Sequence, residues 1–593
     1  MSAEPMPQDP VPSSHNLRPK PARAVRLWPA AVPLAVFWGS RLTVGHLDAP
    51  YFFRFLFALG SSTLLTLSLL AWWWTNRGIP WRGRLWGCLL VVGGSLIAEP
   101  CWDKSLGWFG LGIMGLPIVL TTCTLWMMVA KWRWASCSRT GSVLVAATTL
   151  ACLGLIRSEG LDGDLRADVH WRWTASAEDK FLAEQADPPA SSGDASVPLL
   201  RAGDWGEFRG PGREGVVRGQ KIGTDWAKTP PRLIWRQRVG PAWSSMIVVD
   251  GRLFTQEQRG EQEAVVCYEA RSGRCLWTHE DAARFWESVS GAGPRATPTF
   301  CDGRIYALGG TGLLNCLDAA TGQPYWTRHI AADAAAQVPQ WGFSGSPLLV
   351  EGLVIVFAGG EQGRSLLAYR AATGEPAWAA AVGSTSYSSP HLATLAGQRQ
   401  CLMLTDDGLS AVEPLAGKLL WKAGLAWRGA PRSVQPHVIG PTQLLIGTLE
   451  GFGISLLEAG TEGGAWNVAE TWASKELKPE FPDLVVHQGH AYGFDVNIFC
   501  CLDLSTGKRC WKAGRYGRGQ VLLLAEQSLL LVGAETGEVV LLAANPQRHE
   551  ELGRFAALDG KTWSHPVVVQ HALYVRNAEE MACYELPPYS LRE

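Results

Sequence analysis

The sequence has almost no net charge, with 53 Lys and Arg against 54 Asp and Glu. It therefore projects no field that would draw in nucleic acid, and it has no Lys- and Arg-rich stripe outside the loops between its apolar runs. Its 14 cysteines include no CxxC pair and are scattered through a 593-residue chain. That pattern excludes a zinc ribbon and reads as buried thiols, not as a disulfide framework. No Walker loop, HExxH helix or nucleophile elbow occurs. The two GxGxxG matches, Gly110 to Gly115 and Gly210 to Gly215, lack the strand before and helix after that dinucleotide binding requires. No Asp-rich calcium loop is present. His487 and His490 flank a QG turn, but two imidazoles alone do not hold a metal, so none is expected.

Two compositions share the chain. Residues 1–26 form a basic leader, and 27–157 form a succession of Leu-, Val- and Trp-rich runs. Five runs are candidates for membrane helices: 27–46, 51–74, 84–101, 108–130 and 141–157. About 20 apolar residues are needed to span hydrocarbon. Trp72, Trp73, Trp74, Trp102, Trp108, Trp132 and Trp134 sit at their ends, where aromatic rings favour headgroup level. Arg18, Lys20, Arg23 and Arg26, then Arg77, Arg82 and Arg84, then Lys131, Arg133 and Arg139 fall in alternate loops. The positive-inside rule puts these loops in the cytoplasm, and five spans then carry the C-terminal part outside. The chain is thus expected in the bacterial inner membrane as a multi-pass protein with its larger domain periplasmic. Residues 158–203, including GLDGDL, HWRWT and PASSGDA, read as a linker. Its Trp171 and Trp173 either pack on the following domain or rest on the membrane surface.

From 204 to 593 the dominant signal is internal repetition. CYEARSGRCLW ends at Trp277, CLDAATGQPYW at Trp326, AYRAATGEPAW at Trp378, AVEPLAGKLLW at Trp421 and CLDLSTGKRCW at Trp511. Each has a small residue, a usually polar one two later, a glycine four further on and a tryptophan after four more. This is a hairpin whose glycine supplies a positive φ. Two more strands precede each hairpin, joined by turns such as Asp302-Gly303 and Glu351-Gly352. Prolines at 298, 347, 390, 436, 482 and 566 mark where first strands open. Divergent units end at Trp472 and Phe555. A last unit runs out after three strands, and PRLIW at Trp235 is expected to supply the fourth. The count is eight four-stranded blades, closed by strand exchange so that no edge remains free.

The small-x-Asp-x-x-x-Gly-x-x-x-Trp signature resembles the tryptophan-docking motif of PQQ-repeat propellers, a family that includes quinoprotein alcohol dehydrogenases and BamB-like assembly factors. The resemblance covers about Asp204 to Glu585. DWGEFRGPGREG (Asp204 to Gly215) is similar to the opening of PQQ-binding-like propellers of planctomycete-type bacteria, and the resemblance implies that it braces the ring. The expected fold is an N-terminal helical transmembrane bundle followed by an all-β eight-bladed propeller of the quinoprotein alcohol dehydrogenase type.

Two functions are compatible with this resemblance: a scaffold that binds a protein or a small polar ligand, or a PQQ- and Ca2+-dependent oxidoreductase. Glu269, Arg370 and Glu413 stand in the aspartate column, so the motif reads as packing. Trp235, Trp277, Trp326, Trp378, Trp421 and Trp511 are expected to dock blade on blade. Cys500 and Cys501 are adjacent, as in the vicinal disulfide of some of the family's dehydrogenases, but Cys501 occupies the hairpin's small-residue position and reads as a buried thiol. Polar residues gather where first strands begin: Ser244, Ser245, Thr297, Ser344, Ser346, Ser388, Ser389, Gln435, Ser564. Candidate contacts at that channel mouth are Arg295, Trp341, Ser388, His437 and His565, with Tyr387 beside Trp341.

Overall fold

A computed structural model describes residues 26–45, 47, 51–133, 138–163, 166–185, 196–424, 433–447 and 452–589. Arg18, Lys20, Arg23, Trp134 and the PASSGDA segment lie outside these residues. The chain divides into two compact units, one made by most of the first 156 residues and one made chiefly by Arg157 to Glu593.

The first unit is helical. Leu34, Phe37, Leu65, Leu69 and Trp72 form one core, and Trp102, Val119, Ala146 and Leu150 another. Arg41 donates internally through Nη2 to Ser62 Oγ at 3.0 Å and Ile113 O at 3.2 Å, since a charged group among apolar helices turns to polar partners within the bundle. Among the described residues three helices are long and apolar enough to cross a membrane: Phe53–Thr75, Trp81–Cys101 and Leu111–Ala130. These coincide with the second, third and fourth of the five apolar runs read from the sequence. The first helix, Trp28–Gly45, contains Pro33 and Arg41, and Thr140–Gly154 is too short. Gly110 to Gly115 is helical, with a π turn at Leu111–Gly115, and makes no nucleotide loop.

The second unit is an eight-bladed β-propeller: eight antiparallel sheets, seven of four strands and one with an added fifth. In the order of their innermost strands the blades begin at Ile247, Thr299, Leu348, His391, His437, Val485, Gln520 and Val567. Pro298, Pro347, Pro390, Pro436 and Pro566 each stand one residue before such a strand, where the missing N–H costs no ladder bond. Blade 8 takes its outer strand from Arg232–Arg238, with Trp235 opposite Cys583. The ring is thereby closed by pairing of strands from the two ends of the domain.

The tryptophans show why the repeat has its spacing. Trp326 Nε1 donates to Ala371 O of the next blade at 3.0 Å, and its ring lies over Gly374, where a Cβ would be 2.6 Å away. Gly374 has φ +74, so both conformation and contact require glycine. Trp235, Trp277, Trp378 and Trp472 repeat this, donating to Ala270, Ala319, Pro414 and Leu504, and Trp511 donates to Asn545 O. Except at Asn545, which lies one residue further on, the accepting carbonyl belongs to the residue after the aspartate column. The column's side chain instead closes the turn, as Asp318 Oδ1 does by accepting from the amides of Ala320 and Thr321. A carbonyl does not depend on side-chain identity, so Glu269, Arg370 and Glu413 are tolerated. Trp421 differs: its Nε1 donates to Gln400 of its own blade, and its ring meets Trp466 at 6.2 Å on the longer ribbon of blade 5. Each such ring contributes about 1.5–3 kcal/mol by area.

The segment read as a linker is folded in large part. A two-stranded hairpin (Ile156–Leu161 and Ala167–Trp171) and the helix Ala177–Glu184 occupy it. A Ser176 and Asp179 capping box starts the helix. Phe181 is buried beneath Arg259, and Glu178 holds Arg284 at 2.8 Å. Short polar stretches conceal this structure in the sequence, since one buried Phe gives no periodicity. Trp171 and Trp173 stack on each other at 5.1 Å and stay exposed.

Candidate functional site

The innermost strands all start on the same face. At their starts an inter-blade hydrogen-bond ring runs round the channel. Ser245 N donates to Thr297 Oγ1 (3.1 Å), Thr297 N to Ser346 Oγ (2.9 Å) and Ser346 N to Ser389 Oγ (2.9 Å). Ser389 N then donates to Gln435 Oε1 (3.2 Å), Gln435 N to Asp483 Oδ1 (2.9 Å) and Asp483 N to Gln520 Oε1 (3.2 Å). Gln520 Nε2 reaches Trp563 O, and Ser245 Oγ donates to His565 O, which completes the circuit. The polar residues that sequence reasoning grouped at the mouth are thus largely spent on holding blade to blade.

The opening segment fills the axis from the opposite face. Trp205 bridges Val248 of blade 1, and Val216–Val217 pairs in parallel with blade 7. Between them two arginines reach up to the ring, both fully buried. Arg209 pairs with Asp483 at 2.8 Å and donates to Glu214 O and Leu484 O. Arg213 binds Glu207 at 2.9 Å and the carbonyls of Ser346, Pro347 and Pro390 in blades 3 and 4. The Gly210 to Gly215 stretch is therefore a plug.

Around this ion pair stand three buried imidazoles. His437 Nε2 and His565 Nε2 lie 3.6 and 3.9 Å from Asp483, beyond hydrogen-bond distance, and Phe208 meets His565 edge-on at 5.0 Å. Burial lowers the pKa of His391 and of His565 to about 3, helped by Arg213 and Arg209 respectively. His437 is lowered by burial as well. Asp483 is held well below the usual carboxylate range by Arg209, against the effect of burial. All three imidazoles are neutral near pH 7.

The other residues singled out divide in the same way. Ser388 is buried, its Oγ bonded to Val434 O at 3.1 Å. Arg295 is held by Glu287 at 3.1 Å and by the carbonyls of Gly291 and Gly293, over the Phe285 ring. Burial brings its pKa down to about 10. Trp341 is partly exposed and pairs with Tyr387 at 5.1 Å. His487 bonds Ser528 and His490 bonds Gln488 O, as turn residues. Cys500 and Cys501 are free, buried in different cores on the two sides of one strand.

Sequence reasoning missed the half-buried groups on this face, Trp243, Phe481, Trp563 and Lys561, and the buried Glu480 and Arg518 beneath them. Trp243 and Trp563 meet at 4.8 Å and Phe481 joins Trp563 at 5.1 Å. Lys561 Nζ lies 4.6 Å over Trp563 and 5.1 Å over Trp243. Glu480 and Arg518 form a buried ion pair between the loops entering blades 6 and 7. The only signal for them is their position just ahead of an innermost strand.

Fold and site together define a plugged, eight-bladed propeller, preceded by helices apolar enough to span a membrane. The profile of the family described as outer membrane protein assembly factor BamB matches residues 261–513. No curated protein matches the chain. Among solved structures it is similar to the quinohemoprotein alcohol dehydrogenase of Comamonas testosteroni, at 13% identity over 69% of this chain and 85% of that one, TM-score 0.46. It is also similar to BamB from Moraxella catarrhalis, at 16% identity over 61% and 99%, TM-score 0.40.

A calcium-held quinone needs several oxygen ligands beside a planar slot. Among the described residues no group of three or more His, Cys, Asp or Glu is placed to hold a metal. The axial carboxylate Asp483 is committed to Arg209 and the ring.

Proposed function

We propose that the chain is a membrane-tethered, BamB-like binding scaffold, whose propeller engages a protein partner through the face on which the innermost strands begin. The observation that carries this reading is the occupied axis. Arg209 and Arg213 of the plug occupy the axis and, with the Ser, Thr, Gln and Asp483 side chains at the strand starts, tie up most of the groups that a small ligand in the channel would need, leaving ring nitrogens of His391, His437 and His565 unpartnered. What remains for recognition is a surface of aromatic and charged loops on a rigid ring, the kind of surface on which protein contacts concentrate.

The competing reading is a PQQ-dependent oxidoreductase, and one assay separates them. Full-length protein in detergent, supplied with PQQ and Ca2+, should fail to reduce an artificial acceptor with alcohols or sugars. Substrate-dependent reduction that requires PQQ would sink the scaffold reading.

The proposed location is the inner membrane with the propeller in the periplasm, supported by the alternation of basic loops. Alkaline phosphatase fused after Gly203 should be active and β-galactosidase there inactive. The reverse pattern would overturn it.

A further inference from the structure

The aromatic face is already in use, by the chain's own hairpin. The loop after Ile156–Leu161 lies across loops of blades 1, 7 and 8. Leu161 N donates to Val289 O at 2.7 Å, Gly163 N donates to Glu535 Oε1 at 2.7 Å, and Lys561 Nζ donates to Leu161 O at 3.0 Å. The receiving groups are preorganised. Lys561 is held over two indoles, and Glu535 is fixed by Trp563 Nε1 at 2.9 Å and by the amide of Arg518 at 3.0 Å. Burial lowers the pKa of Lys561, so the carbonyl it grips offsets a real desolvation cost. The fit leaves no room for side chains: a Cβ on Gly160 would lie 2.7 Å from Val289 O, and one on Gly163 would lie 2.6 Å from Arg518 and Glu535.

We propose that this surface is a receptor for a glycine-bearing hairpin loop of a partner protein, and that the Leu161-Asp162-Gly163 loop is its intramolecular occupant. The inference rests on the scaffold reading and adds the partner's chemistry. The groups used are backbone N–H and C=O, so an exposed loop of the same backbone shape can compete for them whatever its other residues. The tether sets the competition: a loop linked in cis has a high effective concentration and keeps the site closed to weak ligands. The short helix Ala177–Glu184, clamped by Glu178 and Arg284, limits how far the hairpin can leave.

The probe is a cyclised peptide of residues 158–169, which holds the hairpin shape and so lowers the entropy cost of binding. Full-length wild type in detergent should bind it at least tenfold more weakly than the Gly160→Val/Gly163→Val chain, whose own loop cannot seat. Adding Lys561→Met to that chain should remove the gain, and Lys561→Arg should retain part of it. Equal binding by wild type and the valine variant, or indifference to Lys561→Met, overturns the proposal. Hydrogen exchange gives an independent reading if the valine variant does not fold. Lys561→Met alone should speed exchange at Leu161 and Gly163 while the blades stay protected, and unchanged exchange there overturns the proposal too. PQQ-dependent turnover would defeat the scaffold reading without altering either result.

Discussion

Replacing Arg209 by methionine should destabilise the propeller by about 3–5 kcal/mol, because it leaves Asp483 as an unpaired buried charge. Arg209 and Asp483 are 0% and 2% exposed, at 2.8 Å, so water cannot take the place of the lost partner. The same guanidinium ties Leu484 O of blade 6 to Glu214 O of the plug, and its removal also loosens the plug. Asp483→Asn should cost a comparable amount, since the amide oxygen can still accept from Gln435 N but the buried Arg209 guanidinium loses its counter-charge. The double variant should be more stable than the sum of the single losses, as expected for coupled neighbours. Thermal unfolding of the full chain in detergent, followed by tryptophan fluorescence, measures this. A loss below about 1 kcal/mol for Arg209→Met would mean that the plug does not brace the ring.

Acid should unfold the propeller well before its carboxylates titrate. His391 and His565 have folded pKa values of about 3, against about 6.5 in an unfolded chain. Below pH 6.5 the unfolded state takes up protons that the folded state refuses, so stability falls with falling pH until about pH 3 and then levels off. At pH 5 these two groups together lower stability by on the order of 4 kcal/mol, and His437 acts in the same direction. Asp483, whose pKa is depressed, works the opposite way round: its contribution persists through this window and is lost only in stronger acid. The melting temperature should therefore drop steeply between pH 6.5 and 4, and His391→Gln/His565→Gln should flatten that slope by about two protons. A melting temperature independent of pH across that window would show that the imidazoles are solvated.

The ring was legible because it is periodic. Each docking tryptophan acts on the next repeat, so spacing alone carried the blades, the proline positions and the closure through Trp235. The helices of the first unit were legible as apolar runs, of which the first contains Pro33 and Arg41 and the last is short. Trp243, Trp563 and Lys561 were hidden because a loop residue before a strand has no pattern to fit.

What the sequence determined by itself is the local order: strand alternation, turn glycines and the tryptophan register, all set by neighbours within one or two repeats. What the tertiary structure decided is which polar groups face each other once the circle closes. Thr297, Ser346 and Gln435 read as a ligand-binding rim until the blades are adjacent and their side chains meet the preceding blade's N–H groups. Arg209 meets Asp483, and Leu161 meets Lys561, across hundreds of residues. Such pairs exist only because ring closure brings distant loops together, and a contact of that separation leaves no trace in the spacing of either partner.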